Sequence, residues 1–324
     1  MSWGGAGDED ILWRYEVGKK RLKEQFKLNV IELPSTLKGS SYVYSHPEER
    51  GRDLMRAFKD DNIKGIISCI GGNESVRILP FIDFEVIKNN PKIFLGYSDS
   101  TITHLICHKA GISSFYGPSV LAEFAENIKI FDYTADSITK TLFSNEIIGD
   151  IPCCDEWTGE IIPWEIQCAK EQKHMVKNSG YEVLLGDGVA CGRLIGGCMD
   201  VLEMAKGTCI FPPLSDFEGA ILFLETSEDA PAPGIFEQWL RNYGSIGVLE
   251  RLSGIIFGKP YQEKYREEYR AAILKVAAEW SLNIPILSNA SFGHNQPMCV
   301  LPYGALAKID CTNKTFSILE SGVI

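Results

Sequence analysis

The amino-acid sequence predicts an α/β protein with a parallel sheet in its N-terminal half and a mixed α+β domain after it. Short apolar runs alternate with amphipathic helical stretches through the first half, while short strand-like runs between glycine, proline and aspartate turns dominate the second. The 324 residues exceed what one hydrophobic core usually holds. We therefore predict two domains, residues 1–147 and 181–324, with residues 148–180 as a linker or cover segment.

The first half supplies the alternation in order. We predict a helix over residues 11–26, a strand over 28–33, a helix over 47–59, a strand over 63–70, a strand over 93–95 and a helix from 101 that stops at Gly111. Such an order indicates a parallel sheet that is covered on both faces. Ligands of these sheets bind at the carboxyl ends of the strands, so the residues there are the first candidates for a site.

Ser98 follows the strand at residues 93–95 in the sequence Gly-Tyr-Ser-Asp-Ser-Thr. Gly96 ends that strand and a helix begins at Thr101, so Ser98 would lie in a tight turn at the positive end of a helix. This is the layout of a nucleophile elbow, although Ser100 replaces the second glycine of G-x-S-x-G. A plain turn with a helix N-cap explains the same residues, and both interpretations stay open here.

Gly71 and Gly72 end the strand over 63–70, at the edge of the sheet where Ser98 is expected. A flexible turn after a buried strand is the simpler interpretation. The functional alternative is an oxyanion hole, because a glycine amide lets the backbone approach a substrate closely. The N–H of Asp99, the residue after the serine, would then be the second donor.

Two polar residues of the second half are candidates for proton chemistry. Glu225 ends the apolar run 221–224 and could orient an imidazole, although a solvated acidic strand end is equally consistent with its position. His294 lies in a glycine-flanked loop after a predicted strand, where a general base is commonly held.

The other four histidines fit a site less well. His104 and His108 are spaced i, i+4 on the helix after Ser98, which could suit a metal, but no acidic partner motif follows them. His46 and His174 lie in polar surroundings. We predict no metal and no cofactor.

Composition excludes some classes of protein. The formal net charge of −11 argues against nucleic acid as the main partner. No apolar run is long enough to cross a bilayer, and the N-terminus lacks the pattern of a signal peptide. Ten cysteines occur without Cys-x-x-Cys pairs, which indicates reduced thiols in a cytoplasmic protein.

The sequence resembles the serine peptidase family of LD-carboxypeptidases and microcin C immunity proteins, from about residue 11 to the end. Six motifs carry the resemblance in order: Ile-Gly-Gly at 70–72, Gly-Tyr-Ser-Asp-Ser-Thr at 96–101, Phe-Tyr-Gly-Pro at 115–118, Leu-Ile-Gly-Gly at 194–197, Leu-Phe-Leu-Glu at 222–225 and Phe-Gly-His-x-x-Pro at 292–297. The resemblance implies a Rossmann-like nucleophile domain followed by a smaller β-rich domain. It also implies a Ser-Glu-His triad divided between the two.

Carried over by position, the triad is Ser98 as nucleophile, His294 as general base and Glu225 as the carboxylate that orients the imidazole. Each residue type suits its role. A serine hydroxyl is a poor nucleophile until a base takes its proton, and an imidazole has a suitable pKa to do so. A carboxylate fixes the tautomer of the imidazole and stabilises its protonated form.

The resemblance also implies the substrate contacts. The amides of Gly72 and Asp99 would form the oxyanion hole, with Gly71 beside them. Trp164 matches a tryptophan that stacks on a nucleobase in the immunity branch, although a tryptophan is more commonly a core anchor. Cys198 stands where relatives of the immunity type often carry asparagine, so contacts to the substrate side chain would differ.

Three functions follow as alternatives. The favoured one is hydrolysis of the amide bond in small aminoacyl-nucleotide substrates, and the next is removal of a D-amino acid from murein tetrapeptides. The third is a small-molecule binding protein that has lost catalysis. The resemblance further implies a homodimer. Relatives usually open with an apolar strand, whereas this sequence begins as though just after one, so either the native start lies upstream or the sheet lacks that strand.

Overall fold

The computed structural model describes residues 5–324, and the three helices that the sequence predicts are among the nine of that range. They are α1 (Leu12–Gln25), α2 (Ser40–Ser45), α3 (Pro47–Lys59), α4 (Phe84–Asn89), α5 (Thr101–Ala110), α6 (Asp132–Leu142), α7 (Met199–Ala205), α8 (Pro233–Ser245) and α9 (Arg266–Glu279). The helices predicted over residues 11–26, 47–59 and 101–110 are confirmed. Gly111 ends α5 in the left-handed conformation expected of a C-terminal glycine.

The strands of the same range form two main sheets and a small hairpin. They are β1 (Gly65–Ile67), β2 (Ile93–Gly96), β3 (Ser114–Tyr116), β4 (Gly149–Asp150), β5 (Glu156–Trp157), β6 (Val176–Lys177), β7 (Glu182–Leu185), β8 (Val189–Cys198), β9 (Ile221–Glu225), β10 (Gly254–Gly258), β11 (Ile286–Ala290), β12 (Leu301–Tyr303), β13 (Leu306–Asp310) and β14 (Thr315–Ile318).

The first sheet has the order β1-β2-β3-β12. Its first three strands are parallel, as the alternation of strands and helices predicts. Strand β12 pairs antiparallel with β3, so the second half of the chain completes the sheet of the first. The domain limits at residues 147 and 181 stay a prediction.

The second sheet has eight strands in the order β4-β14-β13-β8-β9-β10-β11-β7. Its centre, β8 to β11, is parallel, and the outer strands are antiparallel to their neighbours. Strands β9 and β10 are buried along their whole length, which explains their continuous apolar sequences. The α/β class with a parallel sheet and a second β-rich region is confirmed.

The strand predicted over residues 28–33 is wrong. The N–H of Leu28 donates to the carbonyl of Leu22 in α1, so the segment turns back along that helix without joining a sheet. Leu28 and Val30 pack against the apolar cluster around α1. The alternation of apolar and polar residues therefore arises from one-sided packing on a helix, which has the same sequence pattern as a half-buried strand.

Residues 148–180 contribute one strand to the second sheet and form a separate hairpin. Strand β4 extends the second sheet, and β5 pairs with β6 as a hairpin. Thr158 and Gln296 exchange two backbone hydrogen bonds of 2.7 and 2.9 Å, which join this segment to the loop that contains His294. The segment predicted as a linker or cover thus contacts a loop that carries a candidate site residue.

One apolar cluster connects the two sheets and includes side chains from both halves, among them Phe58, Leu194, Phe223 and Leu301. A second cluster lies between α1, α6 and the face of β2. Within residues 5–324 no helix combines the length and apolar character needed to cross a bilayer. The sequence raised the question whether a first strand is missing at the start of the chain. Residues 1–4 at that start lie outside the described part of the chain.

Candidate active site

Ser98 lies in the turn between β2 and α5 with a φ of +60°. This left-handed conformation is unusual for a residue with a side chain, and it is typical of a tight strand-to-helix turn. A β-carbon on Gly96 would lie 2.3 Å from Oγ of Ser68 and 2.6 Å from Oγ of Ser100. The first glycine of the motif is therefore required. Ser100, in place of the second glycine, has an ordinary helical φ of −62°, and its hydroxyl donates to Ser68 over 3.1 Å.

Gly71 lies directly against the serine. A β-carbon there would lie 2.8 Å from Cβ and 2.9 Å from Oγ of Ser98, and 3.6 Å from the backbone nitrogen of Asp99. Gly72 has a φ of +141°, a conformation that favours glycine. The two glycines therefore form a turn that adjoins both the hydroxyl and a neighbouring backbone amide.

The carboxylate of Asp99 ties the serine turn to this glycine loop. It accepts the N–H of Ser75 over 3.0 Å, the N–H of Glu74 over 3.2 Å and the hydroxyl of Ser75 over 2.6 Å. Burial raises the pKa of Asp99, and these donors act against that rise. The sequence pointed to Asp99 for its backbone N–H, and the structure adds a positioning contact for its side chain.

Glu225 and His294 meet the serine from the second sheet. Glu225 is the last residue of β9, and His294 lies in the loop between β11 and β12. Nδ1 of His294 is 2.7 Å from Oε2 of Glu225, and Nε2 is 3.0 Å from Oγ of Ser98. The structure thus joins the three predicted residues in one hydrogen-bonded chain. Such a chain can carry a proton from the hydroxyl to the imidazole.

Two glycines make room for the carboxylate of this chain. A β-carbon on Gly293, whose φ is +102°, would lie 2.7 Å from Oε2 of Glu225. One on Gly258 would lie 3.0 Å from the Cβ of Glu225. The glycine before His294 in the sequence is therefore explained by close packing against Glu225.

Tyr116 is a site residue that the sequence analysis missed. Its hydroxyl accepts the N–H of Ser98 over 3.1 Å and donates to Oε1 of Glu225 over 2.5 Å. The parallel register pairs Tyr116 with Gly96, two residues before the serine. The available signal was a tyrosine within the Phe-Tyr-Gly-Pro motif, which carries the family resemblance but gave Tyr116 no role at the site.

His294, whose side chain is 7% exposed, lies between the carboxylates of Glu225 and Glu228. Burial would lower the pKa of His294, but the carboxylates of Glu225 and Glu228 together raise it well above its ordinary value. Burial, with the charge of Glu225, raises the pKa of Tyr116. Tyr116 therefore stays protonated and remains a donor to Glu225.

Glu228 is the second residue that the sequence analysis missed. Its Oε2 lies 3.0 Å from Nε2 of His294, the same nitrogen that faces Ser98. The hydrogen bond with His294 lowers the pKa of Glu228 to about 2. Glu228 follows Glu225 by three residues in an acidic turn, and only the folded loop reveals that it points back to the histidine.

Trp164 lies in the cover segment and is half-buried against α1. The guanidinium of Arg14 lies 4.7 Å from the centre of its ring, and its carbonyl accepts the indole N–H of Trp13 over 3.2 Å. These partners belong to α1 and not to the hydrogen-bonded chain of Ser98. The contact of Trp164 with a nucleobase stays a prediction.

Cys198 lies at the end of β8, paired in register with Glu225 on β9. It is fully buried, and its N–H donates to the hydroxyl of Thr101 over 3.2 Å. Burial, together with the charges of Glu225 and Asp200, raises the pKa of its thiol well above the ordinary value. Cys198 therefore lies next to the candidate triad as a neutral thiol.

The histidine pair on α5 binds separate partners. Nε2 of His104 contacts the carbonyl of Gly96 and Nδ1 contacts Ser114, both at 2.8 Å, and burial lowers its pKa to about 4. Nε2 of His108 instead lies 2.8 Å from the carboxylate of Asp216. In the part of the chain that the structure describes, no group of three or more His, Cys, Asp or Glu side chains could hold a metal ion.

A cavity of about 430 Å³ lies elsewhere, between α1, α6 and the outer side of β1. Mostly apolar side chains line it, including those of Leu22, Ile66 and Phe124. Its lining includes none of Ser98, Glu225 and His294, so this cavity is separate from the candidate site.

Comparison with known proteins extends over nearly the whole chain. Residues 2–117 match the LD-carboxypeptidase N-terminal domain, and residues 191–309 match the C-terminal domain. A predicted carboxypeptidase of Vibrio cholerae is 32% identical over 316 residues, which cover 96% of this chain and 91% of that protein. The microcin C7 self-immunity protein MccF of Escherichia coli is 31% identical over 279 residues, 84% of this chain and 78% of MccF.

Solved structures agree with these matches. An MccF-like protein from Streptococcus pneumoniae in complex with AMP superposes with a TM-score of 0.90 at 32% identity, covering 97% of this chain and 96% of that one. MccF in complex with aspartyl sulfamoyl adenosine superposes with a TM-score of 0.86 at 28% identity, covering 99% and 94%. The chain therefore belongs to the LD-carboxypeptidase family of serine peptidases.

Proposed function

We propose that this protein is a serine hydrolase that cleaves the amide bond of small aminoacyl-nucleotide substrates. The observation that carries the proposal is the continuous hydrogen-bonded chain from Ser98 through His294 to Glu225. Membership of a peptidase family supports amide hydrolysis. AMP and aminoacyl sulfamoyl nucleotides bound to MccF and an MccF-like protein support the choice of substrate.

In the proposed reaction Ser98 Oγ attacks the carbonyl carbon while its proton passes to Nε2 of His294. The tetrahedral intermediate collapses as the C–N bond breaks, and the imidazolium returns the proton to the leaving nitrogen. Water then hydrolyses the acyl-serine ester by the same proton transfers in reverse order. Glu225 keeps the imidazole oriented and stabilises its charged form.

The negative oxygen of the intermediate would be bound by the backbone N–H groups of Gly72 and Asp99. Support comes from the close approach of Gly71 to Ser98 and to the nitrogen of Asp99. One such donor typically contributes about 3 kcal/mol to stabilising the transition state.

The nucleobase would stack on Trp164. Arg14 covers one face of the indole, so the base is expected on the opposite face. Base stacking on an aromatic side chain contributes about 1–3 kcal/mol. Cys198 is fully buried beside Glu225, so it would affect the substrate side chain through the packing at the acyl end of the site.

A second candidate function is LD-carboxypeptidase activity on murein tetrapeptides. It is favoured by the match of both domains to LD-carboxypeptidases. A predicted murein peptide carboxypeptidase of Bacillus subtilis is also 26% identical over 90% of this chain. This candidate uses the same hydroxyl, imidazole and carboxylate but needs no stacking at Trp164.

A side-by-side assay separates the two activities. The purified protein is incubated with aspartyl sulfamoyl adenosine and with an L,D-tetrapeptide, and Ser98→Ala serves as the inactive control. We expect hydrolysis of the nucleotide compound, and Trp164→Ala should raise its KM while Trp164→Phe keeps most of the affinity. Turnover of the tetrapeptide alone would favour the second candidate.

Labelling with a serine-directed acylating reagent, detected by mass spectrometry, tests catalytic competence independently of the substrate. A label on Ser98 supports a hydrolase, and an unlabelled Ser98 would favour a binding protein that has lost catalysis. The cytoplasmic location that the cysteines indicate and the homodimer that the family resemblance implies remain predictions, and sedimentation of the purified protein tests the dimer.

A further inference from the structure

Glu228 is fixed in a turn that begins where β9 ends. Asp200 accepts the N–H of Ser227 over 3.1 Å and its hydroxyl over 2.9 Å, and the N–H of Ala230 closes the turn on the carbonyl of Ser227. These contacts hold the backbone on both sides of Glu228. Its side chain is 58% exposed, so it remains accessible from the solvent.

Two groups share one nitrogen of His294. Nε2 lies 3.0 Å from Oε2 of Glu228 and 3.0 Å from Oγ of Ser98. That nitrogen carries either one proton or one lone pair. While it donates its proton to the carboxylate of Glu228, it cannot accept the proton of the serine. In the unliganded site Glu228 therefore competes with Ser98 for Nε2 of His294.

Among residues 5–324, the other titratable groups around this pair add no competing cation. Four titratable groups face His294 and Glu228 from the packed elements: Glu225 of β9, Cys198 of β8, Tyr97 before the serine turn and Tyr261 before α9. Burial, with the charge of Glu123, raises the pKa of Tyr97. All of these are acidic or neutral. An incoming positive group would therefore meet a negative surface at Glu228.

We propose that Glu228 binds a cationic group of the substrate, the free α-ammonium next to the scissile carbonyl, and that this contact releases Nε2 of His294 to Ser98. The inference rests on the proposed aminoacyl-nucleotide activity and names which acyl groups the site accepts. Since both oxygens lie 3.0 Å from Nε2, they are no more than twice that distance apart. The α-nitrogen is separated from the reacting carbonyl carbon by one atom, which matches this short span.

The proposal also discriminates between substrates. An aminoacyl group with a free α-amino group carries a positive charge at the required position. A peptidyl group whose α-nitrogen is already acylated carries none, so it would leave Glu228 on the imidazole. Glu228 is then a specificity-determining residue that selects free aminoacyl groups over peptidyl groups.

The test uses two matched compounds, aspartyl sulfamoyl adenosine and its N-acetylated form, with wild-type protein, Glu228→Gln and Asp229→Asn. Asp229 is an exposed carboxylate in the same turn, so its variant removes an equal charge one residue away. We expect wild type and Asp229→Asn to prefer the free amine by about tenfold in kcat/KM, the worth of one charge-assisted contact. Glu228→Gln should lose this preference.

The pH profile provides a readout that a merely structural role would not give. Removing the negative charge of Glu228 lowers the pKa of His294, so the acid limb of kcat/KM for the N-acetylated compound should move to lower pH in Glu228→Gln only. An unchanged preference together with an unchanged limb would overturn the proposal.

Binding to Ser98→Ala, measured by calorimetry, separates this proposal from the proposed function. If wild type hydrolyses neither compound while the variant still binds the free amine more tightly, the activity is wrong and the ammonium site stands. Equal affinity for both compounds, or binding of neither, would refute the ammonium site whatever the activity.

Discussion

Ser98 is held by contacts within its own half of the chain, whereas His294 reaches the site from 196 residues further along. The serine turn depends on Gly96, Ser100 and the carboxylate of Asp99, all within its own motif. His294 depends on a carboxylate 69 residues away and on a backbone bridge from its loop to the cover segment. One part of the site is therefore determined locally, and the other by the register of a sheet.

Tyr116 connects the two parts, because its hydroxyl contacts the backbone of Ser98 on one side and Glu225 on the other. A change near the serine should act through steric fit within the turn. A change near the histidine should act through charge and orientation.

The largest expected effect tests whether the two parts act as one unit. Ser98→Ala and His294→Ala should each lower kcat by at least about 10⁴-fold, because neither group functions without the other. The double variant should be no worse than either single variant. Measured kcat values for the three proteins, with circular dichroism to verify folding, check this. Additive losses in the double variant would mean that the serine and the histidine contribute independently.

A smaller effect is expected from filling the space at the serine. Gly71→Ala places a β-carbon 2.8 Å from the Cβ of Ser98, so the turn must shift and the proposed oxyanion donors move with it. We expect a loss of about 10²–10³ in kcat/KM, comparable to losing one donor. Gly188→Ala is the matched control, since its β-carbon would enter open space. Near-wild-type activity in Gly71→Ala would show that the approach of Gly71 is not required.

Removing the link between the two parts should have a moderate effect. Tyr116→Phe leaves one oxygen of Glu225 and the N–H of Ser98 without this buried partner. We expect the free energy of unfolding to fall by about 1–3 kcal/mol and kcat/KM to fall roughly tenfold. Denaturant titration and steady-state kinetics measure the two.

Tyr243→Phe provides the control for that change. Tyr243 is buried, and its hydroxyl finds no hydrogen-bond partner within residues 5–324. Its loss should leave both stability and activity nearly unchanged. A similar outcome for the two tyrosines would argue against a linking role for Tyr116.

The smallest expected effect concerns the pH dependence of kcat/KM and of stability, which should depend on His294 and not on Ser98. The pKa of His294 lies well above its ordinary 6.5, so kcat/KM should rise with pH through a limb above 6.5 as the imidazole becomes neutral. Below pH 6.5 the charged imidazole of His294 contributes to the free energy of unfolding. This contribution is lost as the pH rises through the raised pKa of His294. Activity and the His294 contribution to stability should therefore change in opposite directions over that range.

Rate profiles and denaturation midpoints over this pH range measure both trends. His294→Gln should remove the pH dependence of stability over that range, while Ser98→Ala should leave it in place. A limb at or below 6.5 would mean that the carboxylates do not hold a proton on His294.

Sequence patterns were sufficient for helices α1, α3 and α5 and for the order of strand, turn and helix around Ser98. Glycine at position 96, serine at 98 and a helix from 101 predict that turn, and contacts to Ser68, Ser75 and Tyr116 hold it in the structure. The pattern failed over residues 28–33, because packing against one side of α1 gives the same alternation as a strand. It also missed Tyr116 and Glu228, whose relevance depends on which atoms they face.

The sequence by itself determined the family and the turn that presents the hydroxyl, because both depend on residue types in a fixed local order. It also named Glu225 and His294, since six motifs in order resemble one family. Only the tertiary structure decided that one imidazole nitrogen contacts both Ser98 and Glu228. The reason is that distances between residues far apart in the chain are set by strand register and by the packing of the two sheets, which local patterns do not encode.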